Sequence, residues 1–252
     1  MKVTERFSNR VENYVKYRPN YPKKIISFLE KEIGLSSSSI IADIGSGTGI
    51  SSEMFLKNGN IVYGVEPNKE MREAAERLLA DYPNFKSING TAEDTTLAAN
   101  SIDILSAGQA FHWFDVIKTE IEFKRILKNG GWVVLVWNER ETNASLFLKA
   151  YEEFLNTFGT DYKEVNHVNI YGAIDQLFKE KGYKLQTFPN NQTFDYKGLE
   201  GRLLSSSYTP SGDDSKYLPM LAEIKILFDT YQRDNAVIFE YITKIFFGQL
   251  SS

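Results

Sequence analysis

The stretch Ile40–Ile50 reads Ile-Ile-Ala-Asp-Ile-Gly-Ser-Gly-Thr-Gly-Ile, an apolar run that ends in three glycines at alternate positions. The apolar part predicts a buried parallel strand, the glycines predict the turn that ends it, and a helix is expected over residues 48–57. Because glycine lacks a Cβ atom, such a turn can adopt positive φ angles and let a ligand lie against backbone N–H groups. The stretch therefore predicts a binding turn for a ligand that contains a nucleoside.

Length and composition limit the class of protein. The 252 residues suit one large α/β domain, and a hydrophobic fraction of 42% is enough for a core. Lys and Arg number 29 against 33 Asp and Glu, and the net charge of −4 argues against a nucleic-acid partner. The absence of cysteine excludes disulfides, thiolate nucleophiles and cysteine-bound metals.

No targeting or membrane segment is evident in the sequence. The N-terminus lacks the apolar part of a signal peptide, and the longest hydrophobic run, residues 132–137, is too short to span a bilayer. We therefore expect a soluble, cytoplasmic protein with no membrane partner.

Strands and helices are predicted to alternate up to residue 140. After the first strand, further strands are expected over residues 61–66, 85–90, 101–106 and 132–137. This alternation predicts a doubly wound, Rossmann-like α/β fold whose ligands bind outside the carboxyl ends of the strands. Glu66 ends the second strand about 20 residues after Gly45, where the acid of a βαβ unit reaches a ribose diol.

Beyond residue 140 the pattern changes. Helices are predicted over residues 145–158, 171–181, 194–208 and 216–231, and strands over residues 183–188 and 237–247. We interpret the chain as a single domain with N-terminal helices or a lid (1–37), a cofactor-binding core (38–138) and a helical cap inserted at about 140–170 and 190–235.

Several motifs occur in order at the predicted strand ends. The glycines follow the spacing Gly-x-Gly-x-Gly, and Asp43, two residues before the first glycine, suits a cationic ammonium group. With Glu66, the pair Ala92-Glu93 and the turn over residues 127–131, this pattern resembles that of class I S-adenosylmethionine-dependent methyltransferases. The resemblance covers roughly residues 38–138.

A narrower resemblance involves segments on both sides of that core. Residues 14–22, 110–114 and 136–140 are similar to the trans-aconitate methyltransferase-like branch, within the methyltransferase type 11 domain. Residues 203–208 and 243–247 are similar to that branch as well.

The resemblance implies a seven-stranded sheet, mostly parallel with an antiparallel last strand, and S-adenosyl-L-methionine as cofactor. Glu66 would bind the ribose hydroxyls, and Ala92 and Glu93 would bind the adenine edge, although Thr91 stands where the family has an acidic residue. The full set of implied cofactor-binding residues is Asp43, Gly45, Ser46, Gly47, Gly49, Glu66, Pro67, Ala92, Glu93, Ala107 and Gln109.

Two residues are candidates for catalysis. His112, in the aromatic loop after the fourth strand, is a candidate base, and the alternative is a packing role between its aromatic neighbours. Arg18 has a planar fork that suits a substrate or cofactor carboxylate, and the alternative is a surface charge. The candidates for substrate binding are Tyr14, Tyr17, Trp113, Arg140 and Tyr208. His112 and His167 are far apart and lack carboxylates at ligand spacing, so no metal is predicted.

Three functions are compatible with these observations. The first is a methyltransferase acting on a small molecule, and a carboxylate is one candidate for the accepting group. The second is a protein that keeps the cofactor pocket for regulation without methyl transfer. The third is a nicotinamide-dependent oxidoreductase, which the glycine spacing and Asp43 disfavour.

Overall fold

The computed structural model describes residues 11–160, 162 and 170–251. Within these residues, seven strands form one mixed sheet. The strands are β1 (Ile40–Ile44), β2 (Ile61–Val65), β3 (Phe85–Ile88), β4 (Ile102–Gly108), β5 (Leu127–Arg140), β6 (Lys184–Phe194) and β7 (Val237–Gly248). The helices are α1 (Val11–Tyr17), α2 (Lys24–Ile33), α3 (Ile50–Lys57), α4 (Lys69–Leu78), α5 (Val116–Ile126), α6 (Leu146–Phe158), α7 (Ile170–Leu177), α8 (Tyr196–Leu204) and α9 (Tyr217–Tyr231).

The order of the strands across the sheet is β3-β2-β1-β4-β5-β7-β6. The pairs from β3 to β5 are parallel, and β7 is antiparallel to both β5 and β6. This topology confirms the predicted doubly wound sheet with an antiparallel last strand. The order reverses between β1 and β4, so a crevice is expected at their carboxyl ends.

Apolar clusters cover both faces of the sheet. On one face Ile25, Leu29 and Phe55, from α2 and α3, are fully buried against β1, β2 and β5. On the other face Phe123 of α5 and Ile174 of α7 are buried with apolar residues of β4 and β5. These strands read as continuous apolar runs because both of their faces are covered.

A third apolar cluster forms the helical cap. It joins α6, α8 and α9 to the carboxyl end of β6 and the first residues of β7, and Leu148, Tyr151, Leu199 and Phe239 are fully buried in it. Residues 190–194, predicted as cap, form the end of β6 and extend the sheet into this cluster. The predicted limits of the lid, core and cap stay predictions.

Several predicted element ends need correction. The sixth strand runs over Lys184–Phe194 and not over 183–188, because β6 is an edge strand and tolerates Pro189. The helix predicted from residue 48 begins at Ile50, because Gly49 adopts a left-handed conformation before it. The helix predicted over 194–208 is α8, and it begins after Asp195, whose carboxylate accepts a 2.7 Å hydrogen bond from the N–H of Gly198.

The N-terminal helix α1 docks on the cap. Tyr17 is buried against Gly201 of α8, where its ring leaves no room for a side chain. The following segment is held by side-chain amides: Gln192 donates to the carbonyl of Tyr17 (3.2 Å), and Asn190 donates to the carbonyl of Asn20 (2.8 Å). The arginine between them, Arg18, is thereby fixed next to the crevice.

None of the helices in the described part of the chain combines the length and the apolar character that crossing a bilayer requires.

Candidate active site

A cavity of about 270 Å³ lies at the carboxyl ends of β1, β2 and β4. The predicted site residues that line it are Tyr14, Arg18, Gly45, Gly47, Glu66, Pro67, Ala92, Glu93, Gln109, His112, Trp113 and Tyr208. A smaller adjoining cavity of about 40 Å³ is lined by Ser46 and again by Arg18 and the glycine turn. Residues that are far apart in the sequence therefore meet at the predicted edge of the sheet.

The glycine turn needs glycine for two different reasons. All three glycines have positive φ angles, and a Cβ atom on Gly45 would lie 2.6 Å from the Cβ of Ala110. A Cβ on Gly49 would meet Leu79 at 2.5 Å, so this glycine allows α3 to pack closely against α4. Gly47 has open space around it and lines the cavity. The turn is both sterically constrained and accessible to a ligand.

Glu66 connects the ends of the first two strands. Its carboxylate accepts hydrogen bonds from the N–H groups of Gly47 (3.0 Å) and Asn68 (2.8 Å). Burial raises the pKa of Glu66, and these two hydrogen bonds act in the opposite direction. Each oxygen keeps a lone pair for a further donor, so the carboxylate can accept the hydroxyls of a ribose.

Asp43 lies beneath the turn, fully buried near the end of β1. One oxygen accepts a 2.7 Å hydrogen bond from the hydroxyl of Ser52, and the other has no hydrogen-bond partner. Burial is the main reason that the pKa of Asp43 is raised to about 7; the hydroxyls of Ser52 and Ser51 lower it, and Glu66 raises it further. Asp43 lines neither of the two cavities, so its contact with a cationic ligand group stays a prediction.

The turn after β3 forms part of the cavity wall. Ala92 and Glu93 line it, and one oxygen of Glu93 accepts a 2.9 Å hydrogen bond from the N–H of Asp115 at the start of α5. Thr91, the departure from the family pattern, accepts a hydrogen bond from the N–H of Asp94 (3.2 Å) and closes the turn.

The loop after β4 is fixed by a side-chain amide that forms hydrogen bonds with the main chain of β5. Gln109 has a φ of 57°, and its amide pairs with the main chain of Asn138, accepting from its N–H at 3.0 Å and donating to its carbonyl at 3.4 Å. A residue other than glycine in this conformation is strained and marks functional sites. Ala107, predicted to border the sulfonium, is buried within β4 and does not line the cavity.

His112 lies in a short 3-10 helix, Phe111–Trp113. Its ring packs against Trp113, with centroids 4.3 Å apart, and edge-on against Trp137 at 5.3 Å. The same residue lines the cavity. His112 therefore combines the predicted packing with the exposure to a ligand that a base needs.

Residues 42–135 match the sequence profile of a methyltransferase domain family. This part of the chain is therefore similar to a methyltransferase domain. An uncharacterized methyltransferase of Mycobacterium bovis is 34% identical over 135 residues, which cover 54% of this chain and 53% of that protein. The chain thus spans about half the length of the curated relatives it matches.

Solved methyltransferases share the fold. A proposed type II methyltransferase from Anaeromyxobacter dehalogenans has a TM-score of 0.66 at 19% identity, covering 92% of this chain and 98% of that chain. The phosphoethanolamine N-methyltransferase 2 of Haemonchus contortus, solved with phosphomonomethylethanolamine and S-adenosylhomocysteine, has a TM-score of 0.58 at 15% identity, covering 99% of this chain and 58% of that chain. The narrower resemblance to the trans-aconitate branch stays a prediction.

Two residues predicted to bind substrate lie outside the lining of the cavity. Tyr17 packs in the cap edge-on to Phe194, with centroids 6.3 Å apart. Arg140 donates to the carboxylate of Glu152 (2.5 Å) and to the hydroxyl of Tyr162 (2.7 Å). Gly49 also lies outside the lining, at the start of α3.

The cavity is also lined by residues that were not predicted as site residues: Asn68, Met71, Thr91, Gly108, Ala110, Phe114 and Ser207. Met71 lies on the buried face of α4, where its spacing is that of an ordinary core residue. Among the residues that the structure describes, no group of three or more His, Cys, Asp or Glu could hold a metal ion. His167 lies outside the described residues.

Proposed function

We propose that this protein is an S-adenosyl-L-methionine-dependent methyltransferase that transfers a methyl group to a small-molecule acceptor. The observation that carries the proposal is the contact between Gly47 and Glu66 at the mouth of the cavity. This hydrogen bond joins the glycine turn after β1 to Glu66 at the end of β2, near the buried carboxylate of Asp43. The methyltransferase domain family gives this arrangement its expected ligand.

The residues present fit the cofactor. Glu66 would accept the ribose hydroxyls, and the unused oxygen of Asp43 suits the positive end of the ligand. Met71 and Phe114 offer apolar surface, and Ala92 and Glu93 would bind the adenine edge. When bound, the cofactor supplies an electrophilic methyl group on a sulfonium. The charge of Asp43 would then lie near the cationic end of the ligand, which would lower the free-energy cost of burying that charge.

The chain's contribution to the chemistry is chiefly positioning. Holding donor and acceptor in line can lower a barrier by about 7–11 kcal/mol. Gln109 fixes the loop that would border the acceptor, and Arg18 lines the same cavity. A carboxylate acceptor is already ionised at neutral pH, whereas an amine or phenol would need His112 as a base.

The acceptor is proposed to be a small molecule and not a nucleic acid. The acceptor would share the cavity of about 270 Å³ with the cofactor, and the net charge of −4 gives no electrostatic attraction for a phosphate backbone. We propose an acceptor that carries a carboxylate, because Arg18 offers a guanidinium to the cavity.

The test measures cofactor binding and methyl transfer separately. S-adenosyl-L-methionine binding is followed by calorimetry for the wild type, Glu66→Ala and Glu76→Ala, an exposed glutamate on α4 that serves as control. We expect Glu66→Ala to weaken binding roughly tenfold or more, through loss of charged hydrogen bonds, and the control to bind normally.

Transfer of a labelled methyl group to carboxylic acids, phenols and amines then tests activity. Binding without any product would favour the regulatory alternative. Nicotinamide binding in place of S-adenosyl-L-methionine would overturn the proposal.

A further inference from the structure

Three arginines are gathered where the cap meets the cavity, with one carboxylate among them. Arg18 follows α1, Arg140 ends β5, and Arg202 lies on α8. Arg140 is neutralised, since it forms an ion pair with Glu152 and its guanidinium lies 5.1 Å from the centroid of the ring of Tyr151. The other two arginines have different hydrogen-bond partners.

Arg18 and Arg202 have only neutral partners within the part of the chain that the structure describes. Arg18 donates to the backbone carbonyl of Ser205 (2.9 Å), and Arg202 donates to the hydroxyls of Ser206 (3.2 Å) and Ser205 (3.4 Å). No described carboxylate forms an ion pair with either arginine, and the buried Nε atoms of both lack a hydrogen-bond partner. Two cationic groups and two unused donors are therefore present.

The two charges are close enough to oppose each other. Burial, and then the neighbouring charge of Arg202, lower the pKa of Arg18. Arg202 itself is only 5% exposed. Burying like charges without a counter-ion is costly, and an anion from solution would relieve that cost.

Tyr208 links this cluster to the cavity. It lines the cavity beside Arg18 and Ser207, and its ring lies edge-on to Tyr162 at 4.9 Å. Burial alone would raise the pKa of Tyr208, but the three arginines outweigh it and the pKa is lowered. The electrostatic potential at this end of the cavity is therefore positive.

We propose that Arg18 and Tyr208 bind an oxyanion of the methyl acceptor, a carboxylate or a phosphate, and that Arg202 holds the positive charge behind them. The inference rests on the proposed function and adds the acceptor's chemistry. A guanidinium fork engages the lone pairs of an oxyanion, which makes that group a poor nucleophile. The acceptor therefore carries this anchoring group in addition to the atom that receives the methyl group.

Binding of simple anions tests the site without turnover. Succinate, inorganic phosphate and the neutral analogue succinamide are titrated by calorimetry into the wild-type protein saturated with S-adenosylhomocysteine. We expect at least one of the two anions, succinate or phosphate, to bind at least roughly tenfold more tightly than succinamide. Equal affinity for the anions and succinamide, or no binding of any of them, would overturn the inference.

Variants separate an anchoring role from a structural one. Arg18→Gln and Arg18→Lys should both weaken anion binding roughly tenfold, because the fork is lost. Arg202→Gln should weaken it severalfold, and Arg202→Lys should restore it, because only charge is needed there. Arg77→Gln, an exposed arginine on α4, is the control for net charge.

A purely structural Arg202 would give a lower melting temperature and an unchanged anion affinity in Arg202→Gln, which contradicts the inference. Binding of S-adenosylhomocysteine, measured on the same samples, reports on the proposed function. If it binds and anions do not, the inference alone fails. If it does not bind, the proposed function fails, and the assignment of the anion site to a methyl acceptor falls with it.

Discussion

At the scale of single residues, the site depends on two carboxylates that are fully or partly removed from solvent. Asp43 is fully buried with one oxygen unpaired, and Glu66 is held by two backbone N–H groups. Both have raised pKa values because burial disfavours the charged form. Each is therefore better suited to binding a cationic or hydroxyl-bearing ligand than to stabilising the empty fold.

The raised pKa of Asp43 predicts that cofactor binding depends on pH. With a pKa of about 7, the carboxylate is mostly charged at pH 8 and mostly protonated at pH 6. A cationic ligand prefers the charged form, so we expect S-adenosyl-L-methionine affinity to fall roughly tenfold between pH 8 and pH 6. Calorimetry at both values measures this change. Asp43→Asn should bind weakly at both, and a wild-type affinity that does not vary with pH would contradict the prediction.

The same group should affect the stability of the ligand-free protein in the opposite direction. The folded-state pKa of Asp43 lies above its unfolded value, so the folded state binds more protons between about pH 4 and pH 7. Its contribution to the free energy of unfolding is therefore favourable at low pH and is lost as pH rises through about 7. Urea denaturation should give a wild-type stability that decreases from pH 5 to pH 8 relative to Asp43→Asn. A difference that stays constant over this range would disprove the assignment.

At the scale of elements, the strands were predictable and their ends were not. Apolar runs identified the central strands β1, β2, β4 and β5 because strands covered on both faces are apolar throughout, whereas the edge strands β3 and β6 are more polar and exposed. The polar ends of β5 and β6 gave no such signal. They stay in the sheet because β7 pairs with them as far as Arg140 and Phe194.

The candidate site was likewise predictable only in part. Glycines and acids at strand ends meet because the topology brings those ends together. Arg140 and Tyr17 were assigned to the substrate pocket, but they pack in the cap, because each is the last residue of its element, where the sequence period no longer reveals the direction of a side chain. Met71 and Phe114 were missed because apolar residues of a cavity wall and of a core look the same in sequence.

Docking of α1 on α8 predicts opposite effects for two helical glycines. Gly201→Ala should lower the free energy of unfolding by about 1–3 kcal/mol, because its Cβ would collide with the buried ring of Tyr17. Gly172→Ala on α7 meets open space and should raise it by about 0.5–1 kcal/mol through helix propensity. Urea denaturation compares the two. Equal effects of the two substitutions would show that α1 does not pack on α8 in solution.

A displacement of α1 in the Gly201→Ala variant should also change ligand binding in the cavity. Arg18 follows α1 directly, so Gly201→Ala should weaken binding of the acceptor more than binding of S-adenosyl-L-methionine, which relies on Gly47 and Glu66. The two dissociation constants, measured at a temperature where the variant is folded, test this. If acceptor binding were unchanged, the position of Arg18 would not depend on α1.

At the scale of the whole molecule, the sheet and the cap share two strands. β6 and β7 begin or end within the cap cluster and run on into the sheet, and Phe239 of β7 packs on Phe147 (5.2 Å) and Tyr151 (4.9 Å) of α6. Continuous strands transmit the loss of packing at one end to the other. The proposed anion site at the cap and the proposed cofactor site at the sheet are therefore parts of one structural unit.

This shared core predicts a single cooperative unfolding transition. The three tryptophans, Trp113, Trp132 and Trp137, all lie in the sheet half, so their fluorescence reports on the sheet, whereas far-UV circular dichroism reports on helices of both halves. Phe239→Ala in the cap and Phe55→Ala under the sheet each remove a fully buried ring and should cost about 3–5 kcal/mol. If sheet and cap unfold together, each variant shifts the fluorescence and dichroism midpoints in urea by the same amount. A cap that unfolded independently would let Phe239→Ala shift the dichroism curve and leave the tryptophan curve at the wild-type midpoint.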